Sequence, residues 1–212
     1  MNLKNSMADV AVTILATDPT DFADRIQRVK AFAKRIHVDI SDGRFAPTKT
    51  IGLAQAYGVT GAQFDLHLMI EYPETQMDNA LALKPDLIIV HAEAKGDLRG
   101  VLEQCHTLGI KAGVAILPQT PIEAVKDLLP LADHVLIFTG SLGHNGGVMQ
   151  KDCLMKIAEV KQSSKAEIGV DGGVNLETGV LAVAAGADVL DSGSFIHDAS
   201  SPGKAYADLE AL

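Results

Sequence analysis

Short runs of β-branched and aliphatic residues alternate with longer amphipathic stretches along the whole chain. The runs VAVTIL (10–15), RIHVDI (35–40), QFDLHLM (63–69), DLIIVHA (86–92), KAGVAIL (111–117), DHVLIFT (133–139), EIGVDG (167–172) and DVLDSG (188–193) predict eight strands. Between them, helices are predicted over 20–34, 73–83, 97–108, 121–129, 150–163 and 176–185, with Gly109 and Gly186 standing where two of these should stop. Strand and helix in regular alternation imply a parallel sheet. Eight units in 212 residues leave about 26 residues each, which suits an α/β fold of the (β/α)8 TIM-barrel type, in one domain spanning 1–212. A doubly wound open sheet is the alternative. It would use fewer strands and put its glycine-rich turn after the first of them, whereas here the glycines cluster after the sixth, seventh and eighth.

Alternation within the strands sorts the polar residues. His37, Asp39 and Ser41 share one face of the second strand, against Ile36, Val38 and Ile40 on the other. In the third, Asp65, His67 and Met69 oppose Phe64, Leu66 and Leu68, and in the seventh Asp171 shares a face with Gly169. The apolar faces should meet the outer helices, so the polar faces point into the barrel, toward the C-terminal strand ends where such barrels carry their active sites. Asp39 and Asp171 would then be buried carboxylates in need of a counter-charge, and no Lys or Arg is expected on these faces. A divalent cation held by His37, Asp39, His67 and Asp171 would neutralise both. A two-nitrogen, two-oxygen set suits zinc, iron, manganese or cobalt better than calcium. The plainer reading is four residues separately hydrogen-bonded.

The glycines form a second constellation: Gly143, Gly146 and Gly147, then Gly172 and Gly173, then Gly193 followed by Ser194. Glycine lets backbone amides approach an anion, and the loops after strands seven and eight form the usual phosphate site of these barrels. With no Lys or Arg among them, the grip would come from amides, a helix dipole and Ser194.

Composition narrows the classes. Of the residues 47% are hydrophobic and 21% charged, which is incompatible with disorder, and no apolar run is long enough to span a bilayer. The opening MNLKNSMADVAVTILATDPT lacks the pattern of a secretory signal, so a cytoplasmic protein is expected. The formal charge of −9 argues against nucleic acid as a partner, though not against a small anion held locally. Cys105 and Cys153 are read as reduced thiols in helices.

The segments HVDISDGRFAP, DLHLMIEYPE, VHAEA, GVAILPQTP and VDGGVN, in this order and at these intervals, resemble the ribulose-phosphate 3-epimerase family over essentially the whole chain. The resemblance implies a phosphate-binding barrel with one catalytic divalent metal on His37, Asp39, His67 and Asp171, and no nicotinamide or flavin. It implies that Asp39 and Asp171 are the base and acid that invert C3 of D-ribulose 5-phosphate to give D-xylulose 5-phosphate through an enediolate. Substrate contacts are expected from Thr13 (a serine in typical members), His67, Met69, Gly146, Gly147, Asp171, Gly172, Gly173, Gly193 and Ser194. A homo-oligomer is also implied, with no nucleic acid or membrane partner.

Departures from the family pattern leave alternatives. Only Met69 remains of the methionines such enzymes place around the enediolate; the other two positions carry Ser41 and Phe138. The loop after the sixth strand reads FTGSLGHNGGVMQ and lacks the family's proline. An epimerase of another ketose phosphate, such as allulose 6-phosphate, is therefore a second reading, and a silent phosphosugar-binding relative a third. Decarboxylase and synthase relatives carry a D-x-K-x-x-D element where this chain has DLHLMI. His144 is read either as a phosphate contact or as a solvated loop residue, and His91 with Glu93 as support for the metal site. Asp42 and Gly43 are expected to shape a turn, and Asp191, inward by parity, has no assigned role.

Overall fold

The computed structural model describes residues 8–144 and 146–212. Eight parallel strands close into a barrel in sequence order: β1 (Asp9–Ile14), β2 (Arg35–Ser41), β3 (Gln63–Met69), β4 (Leu87–His91), β5 (Lys111–Ile116), β6 (His134–Phe138), β7 (Glu167–Asp171) and β8 (Val189–Ser192). Every neighbouring pair is parallel, and β8 closes on β1 with Ala11 opposite Asp191. All eight predicted strands form, within a residue or two of their expected ends. The outward residues Ile36, Val38, Ile40, Leu66, Leu68, Ile168 and Val170 are buried in one continuous layer with the helices. Each such side chain contributes roughly 1.5–3 kcal/mol of burial.

The helices depart further from expectation. Helix α1 (Pro19–Val29) begins where the Asp18 carboxylate accepts from the amides of Thr20 and Asp21, but it stops five residues short of position 34. Segment 121–129 is not an α-helix. It forms two 3-10 turns, Ile122–Val125 and Leu129–Leu131, the second holding Pro130, which has no amide hydrogen to donate, in its first turn. The helices expected at 73 and 150 likewise open as 3-10 turns before becoming α2 (Met77–Ala82) and α4 (Met155–Ser163). Helix α3 (Leu98–Thr107) ends before Gly109 (φ 74°), and α5 (Leu176–Ala185) ends on Gly186 (φ 104°), both in the left-handed conformation glycine tolerates. Two further helices, α6 (Ser194–His197) and α7 (Pro202–Glu210), follow β8.

The expectation that no cation shares the inward faces is corrected by Arg35. It has the parity of His37 and Asp39, is 3% exposed, and sits inside the N-terminal end of the barrel. There it pairs with buried Asp65 and, at 2.9 Å, with Glu167, whose Oε2 also lies 2.8 Å from His134 Nδ1. Above this charged floor, Leu87, Ile89, Ala115 and Leu136 form an interior cluster of their own, all fully buried.

Candidate active site

At the opposite, C-terminal end of the barrel, the four predicted ligands converge. Each of His37, Asp39, His67 and Asp171 offers one donor atom within 4.8 Å of the others, and all four are buried. Parity on β2, β3 and β7 aims them inward, and the register that sets Asp39 opposite His67 brings the first pair together. Asp39 Oδ1 is the common neighbour: His67 Nδ1 lies 2.8 Å and His37 Nε2 3.3 Å from it.

The far nitrogens of both rings also meet partners. His67 Nε2 is 2.9 Å from His91 Nε2, and His91 Nδ1 is 3.4 Å from Glu93, whose other oxygen accepts from the Leu117 amide. His37 Nδ1 lies 2.8 Å from Asp191 Oδ1. Neither nitrogen of His37 has an aligned hydrogen bond. Buried nitrogens left without one, facing buried carboxylates, fit a set of donors for a divalent ion.

The electrostatics are those of a site with excess negative charge. Burial pushes the Asp39 carboxyl up, but the imidazoles of His37 and His67 outweigh it and hold it below the usual range. At Asp171 the order is reversed: burial and the charge of Asp39 outweigh the opposing pull of the His37 imidazole and drive it well above the usual range. Burial depresses His37, and the carboxylates of Asp191 and Asp39 more than reverse this. His67 is pulled down to about 4, chiefly by burial.

The cleft over this cluster is bordered by Thr13, Asp39, Met69, Gly146, Gly147, Asp171, Gly172, Gly173, Gly193 and Ser194, so nine of the ten residues named as substrate contacts line it. The tenth, His67, lies just beneath, fully buried. Thr13 Oγ1 is buried without a hydrogen-bond partner at the cleft wall. Gly172 must be glycine: at φ 109° its Cβ would strike the backbone of Gly140 in the preceding loop. None of the described lining residues is Lys or Arg. The helix after Gly193, α6, is a single turn, so the rim offers amides and the Ser194 hydroxyl rather than the strong helix dipole expected.

Of the residues at altered positions, Phe138 lines the cleft, whereas Ser41 is turned into its own loop, with its Oγ accepting from the Gly43 amide. His144 borders the cleft but is exposed, with Nδ1 2.9 Å from the Leu142 carbonyl. Asp42 shapes its turn as expected, accepting from the amides of Arg44, Phe45 and Glu71. Leu15, Gly140, Ser141 and Val174 also border the cleft and were not anticipated. Gly140 and Ser141 carry a signal, since they lie in the same glycine-rich loop; Leu15 and Val174 carry none.

Residues 9–197 match the family described as the ribulose-phosphate 3 epimerase family. The chain is 35% identical to ribulose-phosphate 3-epimerase of Bacillus subtilis (strain 168), covering 96% of this chain and 98% of the relative. It is 30% identical to the protein of that name from Schizosaccharomyces pombe, over 92% and 89%. The crystal structure of 3-keto-L-gulonate-6-phosphate decarboxylase from Vibrio cholerae superposes with a TM-score of 0.73 at 14% identity, over 97% of this chain and 96% of that one, which is a likeness of fold alone. The family match over nearly the whole barrel, together with relatives at 30% identity and above that are covered almost end to end, establishes that the chain belongs to the ribulose-phosphate 3-epimerase family.

Proposed function

We propose that this chain interconverts D-ribulose 5-phosphate and D-xylulose 5-phosphate by inverting C3. The observation that carries the reading is the pairing of Asp39 and Asp171, two buried carboxyls on separate strands at the floor of a glycine-rimmed cleft. Inversion beside a carbonyl needs one group to take the C3 proton from one face and another to supply a proton to the other face. The C–H electron pair moves toward the C2 oxygen, giving an enediolate, and returns when C3 is reprotonated. Nothing is oxidised or reduced, so no nicotinamide or flavin is needed. Asp39 and Asp171 exchange base and acid roles with direction. A divalent ion on His37, Asp39, His67 and Asp171, of zinc, iron, manganese or cobalt type, would supply Lewis-acid stabilisation of charge on the sugar oxygens. Thr13 and Met69 hold the sugar. The amides around Gly146, Gly147, Gly172, Gly173 and Gly193, with Ser194, receive the phosphate.

The altered loop after β6, whose Gly140, Ser141, Gly143 and His144 border the cleft, leaves one second reading, the same chemistry on another ketose phosphate such as allulose 6-phosphate. Coupled assays over pentulose and hexulose phosphates, with and without chelator, decide between them. The expected result is chelator-sensitive turnover, highest on ribulose 5-phosphate; turnover of none of them would remove both readings.

Among the described residues no helix is long and apolar enough to cross a membrane. The proposed enzyme is cytoplasmic and a homo-oligomer, the association supported by exposed apolar residues on neighbouring α4 and α5: Met155 (72%), Val180 (52%) and Leu181 (38%). Light scattering should return a multiple of 22.4 kDa, and a monomer mass would remove this part of the reading.

A further inference from the structure

Asp191 is a third carboxylate at the site and takes no part in the chemistry above. It is 2% exposed, sits opposite Asp171 in the sheet register and borders the cleft. One oxygen lies 2.8 Å from His37 Nδ1, and the other is buried with no hydrogen-bond partner. The charged groups around it are Asp171, Asp39, His37 and, further off, Arg35, which already pairs with Asp65 and Glu167. A carboxylate kept for stability would have its acceptors filled; one oxygen of this one is unfilled, its close partner is His37, and Asp171 and Asp39 stand nearby as like charges.

The contact is also a long reach. β8 and β2 are not neighbours, since β1 lies between them, and Asp191 meets His37 across Ala11, which is opposite both Asp191 and Arg35 in register. A larger inward residue at position 11 would occupy that space. The ring of His37 is thus clamped between two carboxylates, with Nε2 facing the shared Asp39 oxygen and Nδ1 facing Asp191.

We propose that Asp191 is a positioning residue for the metal: it accepts the Nδ1 hydrogen of His37, fixes the tautomer that leaves Nε2 free to ligate, and raises the affinity of the site for a divalent ion. This rests on the reading of His37, Asp39, His67 and Asp171 as ligands. A ligand imidazole backed by a carboxylate is a better donor and is held in one orientation.

The test is a titration of Zn2+ alone into the metal-free protein, in competition with a chromophoric chelator, for the wild type and for Asp191→Asn. The substitution keeps size and shape and removes the charge. Zn2+ affinity is expected to fall about 10- to 100-fold, in a metal-free variant whose cooperative denaturant unfolding shows it to be folded under the conditions of the titration. A purely structural Asp191 would give a destabilised metal-free protein with Zn2+ affinity changed less than twofold, and that result overturns the proposal. In the zinc-loaded wild type, nitrogen-15 shifts should show His37 protonated at Nδ1; protonation at Nε2 also overturns it. A wild type that binds no Zn2+ removes the ligand reading itself, whereas equal binding by wild type and variant removes only the role of Asp191.

Discussion

Replacing Asp171 with asparagine is expected to lower kcat for epimerisation about 10³-fold or more, with a smaller change in KM. The side chain is 8% exposed at the end of β7, close enough to Asp39 that the two carboxyls hold their protons differently, Asp39 low and Asp171 high. An amide can still offer an oxygen ligand but can neither give nor take the C3 proton. The measurement is made at saturating metal, so that weaker ion binding does not masquerade as lost proton transfer. Exchange of the C3 hydrogen with solvent deuterium reports the same step directly: near-normal exchange in Asp171→Asn would mean that the two-carboxylate scheme is wrong.

The second large effect lies at the other end of the barrel. Arg35→Met leaves Asp65, 1% exposed, without its ion-pair partner, and removes one of the two partners of Glu167. Breaking a buried pair on one side costs about 3–5 kcal/mol, readable as a shift in the urea unfolding midpoint. Adding Asp65→Asn should recover much of the loss, and kcat per folded molecule should move far less than in Asp171→Asn, since Arg35, Asp65 and Glu167 do not line the cleft. An unchanged midpoint would show the floor to be energetically neutral. The same network sets an acid limit. Burial raises the Glu167 carboxyl, but His134 and Arg35 outweigh it and hold it at about 2 against an ordinary 4.5. A depressed carboxyl stabilises the fold above its unfolded value and stops doing so as pH falls toward the folded one. Stability should therefore drop between about pH 5 and pH 2, by on the order of 2 kcal/mol after allowance for partial exposure. Glu167→Gln should flatten that slope.

The strands were legible because each is a compact β-branched run, and parity alone brought His37, Asp39, His67 and Asp171 to one interior. Parity was not carried far enough at Arg35, whose position at the first residue of β2 hid it from a search for cations near the site. Segment 121–129 misled because apolar residues three apart, such as Ile122 and Val125, suit a 3-10 turn as well as an α-helix. The role of Asp191 could not be read from the sequence at all. It depends on barrel closure, which brings β8 alongside β1, and on Ala11 being small enough to let β8 and β2 meet across it.

With its lower end closed by Arg35, Asp65, Glu167 and His134, and its middle filled by Leu87, Ile89, Ala115 and Leu136, the barrel is a flask with one neck. A sugar phosphate seated under the glycine rim would be its stopper. With the neck so closed, the carboxyls would face the sugar on one side and the filled barrel on the other. Solvent label would then have one way in, down through the neck, and would reach C3 only by way of the two acids beneath it.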